Sequence, residues 1–288
     1  MQEDISCHIC GSGFIHVKWQ GEEYVLSREI GWLSHDEVYS NYHPVYHPCV
    51  NCSKQSLLCE IESIVMESID RFITVGLYYS KEEFKSITNL LSQWILKLKK
   101  DEKYADPLGC ALAEVINRYW LKALTNECKG IIIIPVPKHP DEGTYNQALK
   151  LAEALLKRLK INNISVRLEP NLVNKKLPTK AGERRSKCGN ICQNDVKCFA
   201  KCNFNEVLSA LEVSRRYITT GDTCVIVVDD VKTTGATVGA MAKLLKDKGV
   251  HKVYVATLAR DAIRRELLKC VAAHFWERHD YFTRGHEK

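Results

Sequence analysis

Two adjacent carboxylates, Asp229 and Asp230, close the apolar run Val225-Ile-Val-Val and stand directly before Val231-Lys-Thr-Thr-Gly-Ala-Thr237. Carboxylates accept hydrogen bonds and repel phosphate, so this pair must meet hydroxyls, positive charge or a magnesium-bound group. The loop that follows has the opposite character. Thr233, Thr234 and Thr237 bring hydroxyls, Gly235 allows the backbone to turn, and Ala236 opens a helical pattern whose first N–H groups suit an anion. Carboxylates for sugar hydroxyls beside a loop for phosphate describe a site for a phosphorylated ribose.

Such a site needs a strand to deliver the pair. Four consecutive β-branched residues bounded by charge predict a strand over 225–229 that is buried on both faces, as in a parallel sheet. In open α/β sheets ligands bind outside the carboxyl ends of the strands, where Asp229 and Asp230 fall. The run Ile131–Val136 predicts a second buried strand. A helix is predicted over 146–159, with Ala148, Leu149, Ala152, Leu155, Leu156 and Leu159 on one face. Ile164–Leu168 alternates as a strand, 238–248 reads as a helix ended by Gly249, and 252–258 is one more strand. Helical spacing within 61–69, 84–98 and 108–124 predicts connecting or covering helices. The order is α/β, a mainly parallel sheet flanked by helices.

Eight of the thirteen cysteines fall into two clusters, and clustered cysteine in a reducing compartment points to metal before disulfide. Cys7-His-Ile-Cys10 and Cys49-Val-Asn-Cys52 are C-x-x-C pairs with 38 residues between them. This spacing predicts a zinc ribbon with four thiolate ligands and a structural ion, with strands at Phe14–Trp19 and Tyr24–Leu26. His16, His43 and His47 are substitute ligands, ranked below the second cysteine pair. The second cluster packs Cys188, Cys192, Cys198 and Cys202 into fifteen residues. C-x-x-x-C spacing places two thiols one helical turn apart on one face, so a second structural zinc is the favoured expectation, with an iron–sulfur centre or redox pairing as alternatives. Cys59, Cys110, Cys128, Cys224 and Cys270 read as small core or surface residues.

The 288 residues suffice for one large or two unequal domains, and 45% apolar with 26% charged excludes wholesale disorder. A net charge of +6 suits nucleic acid or pyrophosphate without choosing between them. With no apolar stretch of membrane-spanning length and an opening Met1-Gln-Glu-Asp, the expectation is a cytoplasmic protein without membrane insertion. With Gln2 after Met1, the expectation is that no amino-terminal cysteine serves as a glutaminase nucleophile. The aromatic and basic stretch Phe275–His286 reads as a cap on the core ahead of a base-stacking surface.

The run Val225–Thr237 resembles the signature of type I phosphoribosyltransferases, which bind phosphoribosyl pyrophosphate (PRPP). Lys232 departs from it, standing where that family carries an apolar or aromatic residue. Ile134-Pro-Val-Pro-Lys-His139-Pro with Tyr145-Asn-Gln147 resembles the ComF family, whose members also carry an amino-terminal zinc ribbon. The resemblance implies a type I phosphoribosyltransferase fold with that ribbon: a zinc-ribbon module over 1–60, a helical connecting or hood region over 61–127, and the phosphoribosyltransferase core over 128–288. It implies PRPP binding by Asp229, Asp230, Thr233, Thr234, Gly235, Ala236 and Thr237, with Pro137, Lys138 and His139 at the pyrophosphate. Asp229, Asp230 and Lys138 form the expected catalytic set. Mg2+ accompanies PRPP, a nitrogenous acceptor takes the phosphoribosyl group, and pyrophosphate leaves.

Between Asn174 and Lys187 stand Lys175, Lys176, Lys180, Arg184, Arg185 and Lys187 against one acid, Glu183. By the resemblance this is the flexible loop, a basic lid over the departing pyrophosphate. ComF proteins ordinarily lack the cysteine cluster that follows, and their Arg, Gln and Asn pattern is matched here loosely, through Arg184, Arg185 and Asn190. That departure motivates a rival expectation, a non-catalytic PRPP-binding accessory protein in DNA uptake or processing that recruits DNA or a helicase through its ribbon. A homodimer is a further expectation.

Overall fold

The computed structural model describes residues 5–10, 14–28, 65, 67–78, 90–178, 196–214, 221–233 and 235–261. At their centre lies a five-stranded, all-parallel sheet in the order β4-β10-β9-β5-β6, made of β4 (Arg71–Tyr78), β10 (Lys252–Asp261), β9 (Thr223–Lys232), β5 (Gly130–Pro135) and β6 (Ser165–Leu168). Alternation within β9 serves both faces, as two-sided burial requires. Cys224, Ile226 and Val228 join one apolar core, while Val225 and Val227 join the other.

The first core is covered by α1 (Leu90–Leu98), α2 (Ala105–Glu127) and α3 (Gln147–Arg158). The second is covered by α4 (Val196–Ala210) and α5 (Ala236–Asp247). At Gly239 an added Cβ would come 1.8 Å from the Val65 carbonyl oxygen, so α5 approaches that backbone as only glycine permits. A short antiparallel pair, β7 (Val173–Lys175) with β8 (Leu211–Val213), lies against the second face.

Residues 71–78 lie between the helices expected over 61–69 and 84–98, inside the region expected to be a helical connection or hood. They form instead the edge strand β4, paired in parallel with β10. A three-member network holds that edge: Arg71 Nη2 donates to Glu127 Oε1 at 2.6 Å, and the Tyr254 hydroxyl donates to Glu127 Oε2 at 2.7 Å. Burial opposes the Glu127 charge, but the hydrogen bonds from Tyr254 and Arg71 prevail and hold its carboxyl below the ordinary range. Burial, then the Glu127 carboxylate, raises the Tyr254 phenol.

The amino-terminal segment forms its own antiparallel sheet, β1 (Ser6–Ile9), β2 (Phe14–Trp19) and β3 (Glu22–Arg28), with a two-residue turn at Gln20–Gly21. Both strands expected there are present. Ile15, Val17, Trp19 and Leu26 face inward and join the first core. Trp19 meets Trp94 edge-on at 5.1 Å and Tyr104 at 5.2 Å, and Arg158 Nη1 donates to the Ile5 carbonyl at 2.7 Å. Among the described residues no helix is long and apolar enough to cross a membrane.

Cys110, Cys128 and Cys224 are buried core residues, as expected, and each also pairs in a disulfide. Cys128 pairs with Cys224 across the start of β5 and β9, at a Cα separation of 5.6 Å. Cys7 pairs with Cys110 of α2, at a Cα separation of 6.0 Å.

Candidate active site

The chain leaves β5 for β6 on one side of the sheet and leaves β9 for β10 on the other. The carboxyl ends of the adjacent strands β5 and β9 therefore flank a topological switch point, where such sheets open a crevice. Pro135 is in register with Val228, and the Val136 N–H donates to the Val228 carbonyl at 2.9 Å. This register sets Pro137 and Lys138 against Asp229 and Asp230. A cavity of ≈ 180 Å³ opens there, lined by Pro137, Lys138, Asn146, Gln147, Lys175, Asp229 and Thr237 among others.

The carboxylates are fixed by their own strand. The Asp230 N–H donates to Asp229 Oδ1 at 2.9 Å, and the Val231 N–H donates to Asp230 Oδ1 at 2.8 Å. Gln147 Nε2 donates to Asp230 Oδ2 at 3.4 Å, while Lys99 Nζ stands 3.8 Å from the same oxygen. Burial, reinforced by the Asp230 charge, raises the Asp229 carboxyl well above the ordinary carboxylate range. Lys99 opposes that rise without cancelling it. Negative charge with so little compensation fits hydroxyl donors or a hydrated divalent cation.

After β9 the chain passes Thr233 to Gly235, which sits at φ +81° and caps α5 without a side chain. A glycine cap leaves room for an anion at the helix start. Thr233 is exposed, Ala236 is buried in the first turn, and Thr237 faces the cavity. Thr234 lies outside the described residues.

On the opposite wall Lys138 Nζ donates to the Tyr145 carbonyl at 2.8 Å, and the Tyr145 hydroxyl donates to the Leu98 carbonyl at 2.6 Å. His139 caps a 3-10 turn at Pro140–Glu142: the Asp141 N–H donates to its Nδ1 at 3.2 Å, and its own N–H donates to Glu142 Oε2. Its Nε2 lies 3.2 Å from the Lys176 carbonyl, which fixes the tautomer with hydrogen on Nε2. Both ring nitrogens are thus engaged within the protein, and in this arrangement the ring holds the loop.

The basic run enters the site at its beginning. Lys175 lines the cavity and pairs with Glu142 at 2.7 Å, and Lys176 pairs with Glu212 at 2.9 Å. Lys180, Arg184, Arg185 and Lys187 lie outside the described residues, as do Cys188 and Cys192. Cys198 and Cys202 both lie on α4, the helical placement expected from their spacing. Sequence reasoning passed over Lys99, and it quoted Asn146 and Gln147 without giving them work. Asn146 caps α3, accepting from the N–H groups of Ala148 and Leu149, and its Nδ2 donates to the Val136 carbonyl at 3.2 Å. This cap is what aims Gln147 at Asp230.

Of the four cysteines expected to form the amino-terminal zinc site, Cys7 and Cys10 are among the described residues. Cys7 faces inward to Cys110, whereas the Cys10 thiol is hydrogen-bonded to His16, whose ring is partly exposed. Cys10 lies just beyond the last residue of β1, and in this arrangement the two sulfurs have different partners. Cys49, Cys52, His43 and His47 lie outside the described residues.

Neither a protein-family model nor a curated protein sequence matches the chain. Among solved structures it is similar to a hypoxanthine phosphoribosyltransferase from Staphylococcus aureus in an orthorhombic crystal form, with 12% identity and a TM-score of 0.28 over 58% of this chain and 64% of that one. The tetragonal form gives 14% identity and a TM-score of 0.29, over 60% of this chain and 67% of that one. A purine phosphoribosyltransferase from Pyrococcus horikoshii gives 16% and 0.25, over 64% and 77%. The chain therefore spans less than two thirds of the first of these structures. At such TM-scores the overlap adds no weight to the site itself, a switch-point crevice with paired carboxylates on one wall and a lysine-bearing loop on the other.

Proposed function

We propose that the crevice binds PRPP with Mg2+ and transfers its phosphoribosyl group to a nitrogenous acceptor, as a ComF-like phosphoribosyltransferase. The observation that carries this reading is the placement of Asp229 and Asp230 directly before the glycine-capped start of α5. Ribose hydroxyls meet the carboxylates while the 5′-phosphate sits in the Thr233–Thr237 loop, and this binding remote from the reacting carbon supplies orientation. The bond from the anomeric carbon to pyrophosphate breaks with its electron pair leaving on pyrophosphate. The acceptor nitrogen forms the new bond and gives up a proton.

As the anomeric carbon becomes cation-like, the neighbouring carboxylates stabilise it electrostatically. Lys138 has ammonium hydrogens beyond the one given to Tyr145, and these face the departing pyrophosphate. The Asp229–Asp230 pair, offset only in part by Lys99, would hold Mg2+ through hydroxyls or water, and the ion would supply charge neutralisation for pyrophosphate.

The test is pyrophosphate release from PRPP and Mg2+ across ammonia, purines and pyrimidines as acceptors. Acceptor-dependent release supports the reading. PRPP binding with no release across the whole panel would favour the accessory-protein alternative.

A further inference from the structure

The outer face of the amino-terminal sheet gathers His8, His16 and Glu23, whose ligand atoms all lie within 4.8 Å of one another. Backbone register brings them together. His8 is directly opposite His16 in the antiparallel pair, and the two rings stack with centroids 4.7 Å apart. Glu23, one strand further, places Oε1 3.0 Å from His16 Nδ1. Cys10, just beyond β1, is hydrogen-bonded to His16 and stands outside that three-residue group.

We propose that this face binds a transition-metal ion, zinc foremost, through His8, His16, Glu23 and Cys10, in place of the four-cysteine set that spacing alone suggests. The donors make the choice of metal. Two imidazoles and a thiolate suit zinc, whereas magnesium and calcium take oxygen ligands. Tetrahedral zinc, with Zn–N about 2.0–2.1 Å and Zn–S about 2.3 Å, spaces its ligands by about 3.3–3.8 Å. Side-chain rotation brings the cluster to that spacing, because cross-strand neighbours on one face already stand close.

The arrangement also has a structural consequence. His8, His16 and Glu23 come from β1, β2 and β3, so one ion ties all three strands on the face opposite the apolar contacts of Ile15, Val17 and Trp19. His8 and Glu23 are exposed, which leaves the ion a path from solvent. Cys7, on the inner face, takes no part.

The test uses the full-length chain with Cys188, Cys192, Cys198 and Cys202 changed to serine, which removes the second thiol cluster from the measurement. X-ray absorption of the zinc-loaded protein should show one sulfur near about 2.3 Å and nitrogen or oxygen scatterers near about 2.0–2.1 Å. By elemental analysis after dialysis, His8→Ala and His16→Ala in this background should each lose the ion, and Cys7→Ser should keep it. A four-sulfur shell would overturn the assignment. So would zinc lost with Cys7→Ser, zinc retained when both histidines are alanine, or no zinc retained by the parent.

Discussion

The backbone N–H of Asp230 donates to the Asp229 carboxylate at 2.9 Å, so the second member of the pair holds the first in place while its own charge discourages ionisation there. The strand's polypeptide holds Asp229 on the cavity wall and buries Asp230 beside it, where Gln147 and Lys99 support it. Preorganisation of this kind favours function at some expense of stability.

Asp229→Asn should raise stability at neutral pH. The folded-state pKa of Asp229 lies above its ordinary value of 3.8, so its favourable contribution is complete below that value and is lost as pH rises toward the folded pKa. Asp229 is thus a cost near pH 7, whereas asparagine does not titrate and keeps an oxygen for the Asp230 N–H. Thermal melts should show a higher Tm for the variant at neutral pH and a shrinking gap as pH falls. A lower Tm at neutral pH would contradict the assignment.

Glu127→Gln should behave in the opposite sense. Its carboxyl is held below the ordinary value of 4.5, so its contribution is present above that value and disappears as pH falls through the folded pKa. The variant should melt below wild type at neutral pH and approach it in acid. Equal melting temperatures at both ends of the range would show that the Arg71–Glu127–Tyr254 network contributes nothing.

Trp19→Ala removes the contact of the amino-terminal sheet with Trp94 and Tyr104, a buried aromatic loss on the order of 3–5 kcal/mol. Urea denaturation should show that loss in the main transition or as an earlier transition of the sheet alone. An unchanged curve would mean that the packing is not energetically coupled.

Much of this was legible in residue pattern. The β-branched runs of β5 and β9 and the apolar faces of α3 and α5 declare themselves because two-sided burial and helical periodicity leave strong local marks. Strand β4 left a weaker one: Gly76 interrupts its apolar run, and no element was expected between the helical spacings of 61–69 and 84–98. Lys99 reaches Asp230 from a remote part of the chain, which no local pattern reports. Gln147, 83 positions from Asp230, was visible as part of a motif, but its partner was not. The Cys7–Cys10 spacing matches a metal knuckle, yet Cys7 meets Cys110 of α2, a partner 103 positions away that no local pattern reports. Backbone register assembles His8, His16 and Glu23, which are scattered in sequence.

Gly239→Ala should destabilise the fold by about 1–3 kcal/mol, because the new methyl would meet the Val65 carbonyl oxygen at 1.8 Å and force α5 outward. Denaturation midpoints check this directly. A neutral result would show that α5 does not pack against Val65.

The central claim is that Asp229 and Asp230 bind PRPP, and isothermal titration of PRPP with Mg2+ tests it most directly. Wild type should give saturable binding, and the Asp229→Asn/Asp230→Asn double variant should bind at least about tenfold more weakly, a loss of about 1.4 kcal/mol or more. No binding to wild type, or unchanged affinity in the double variant, would contradict the account.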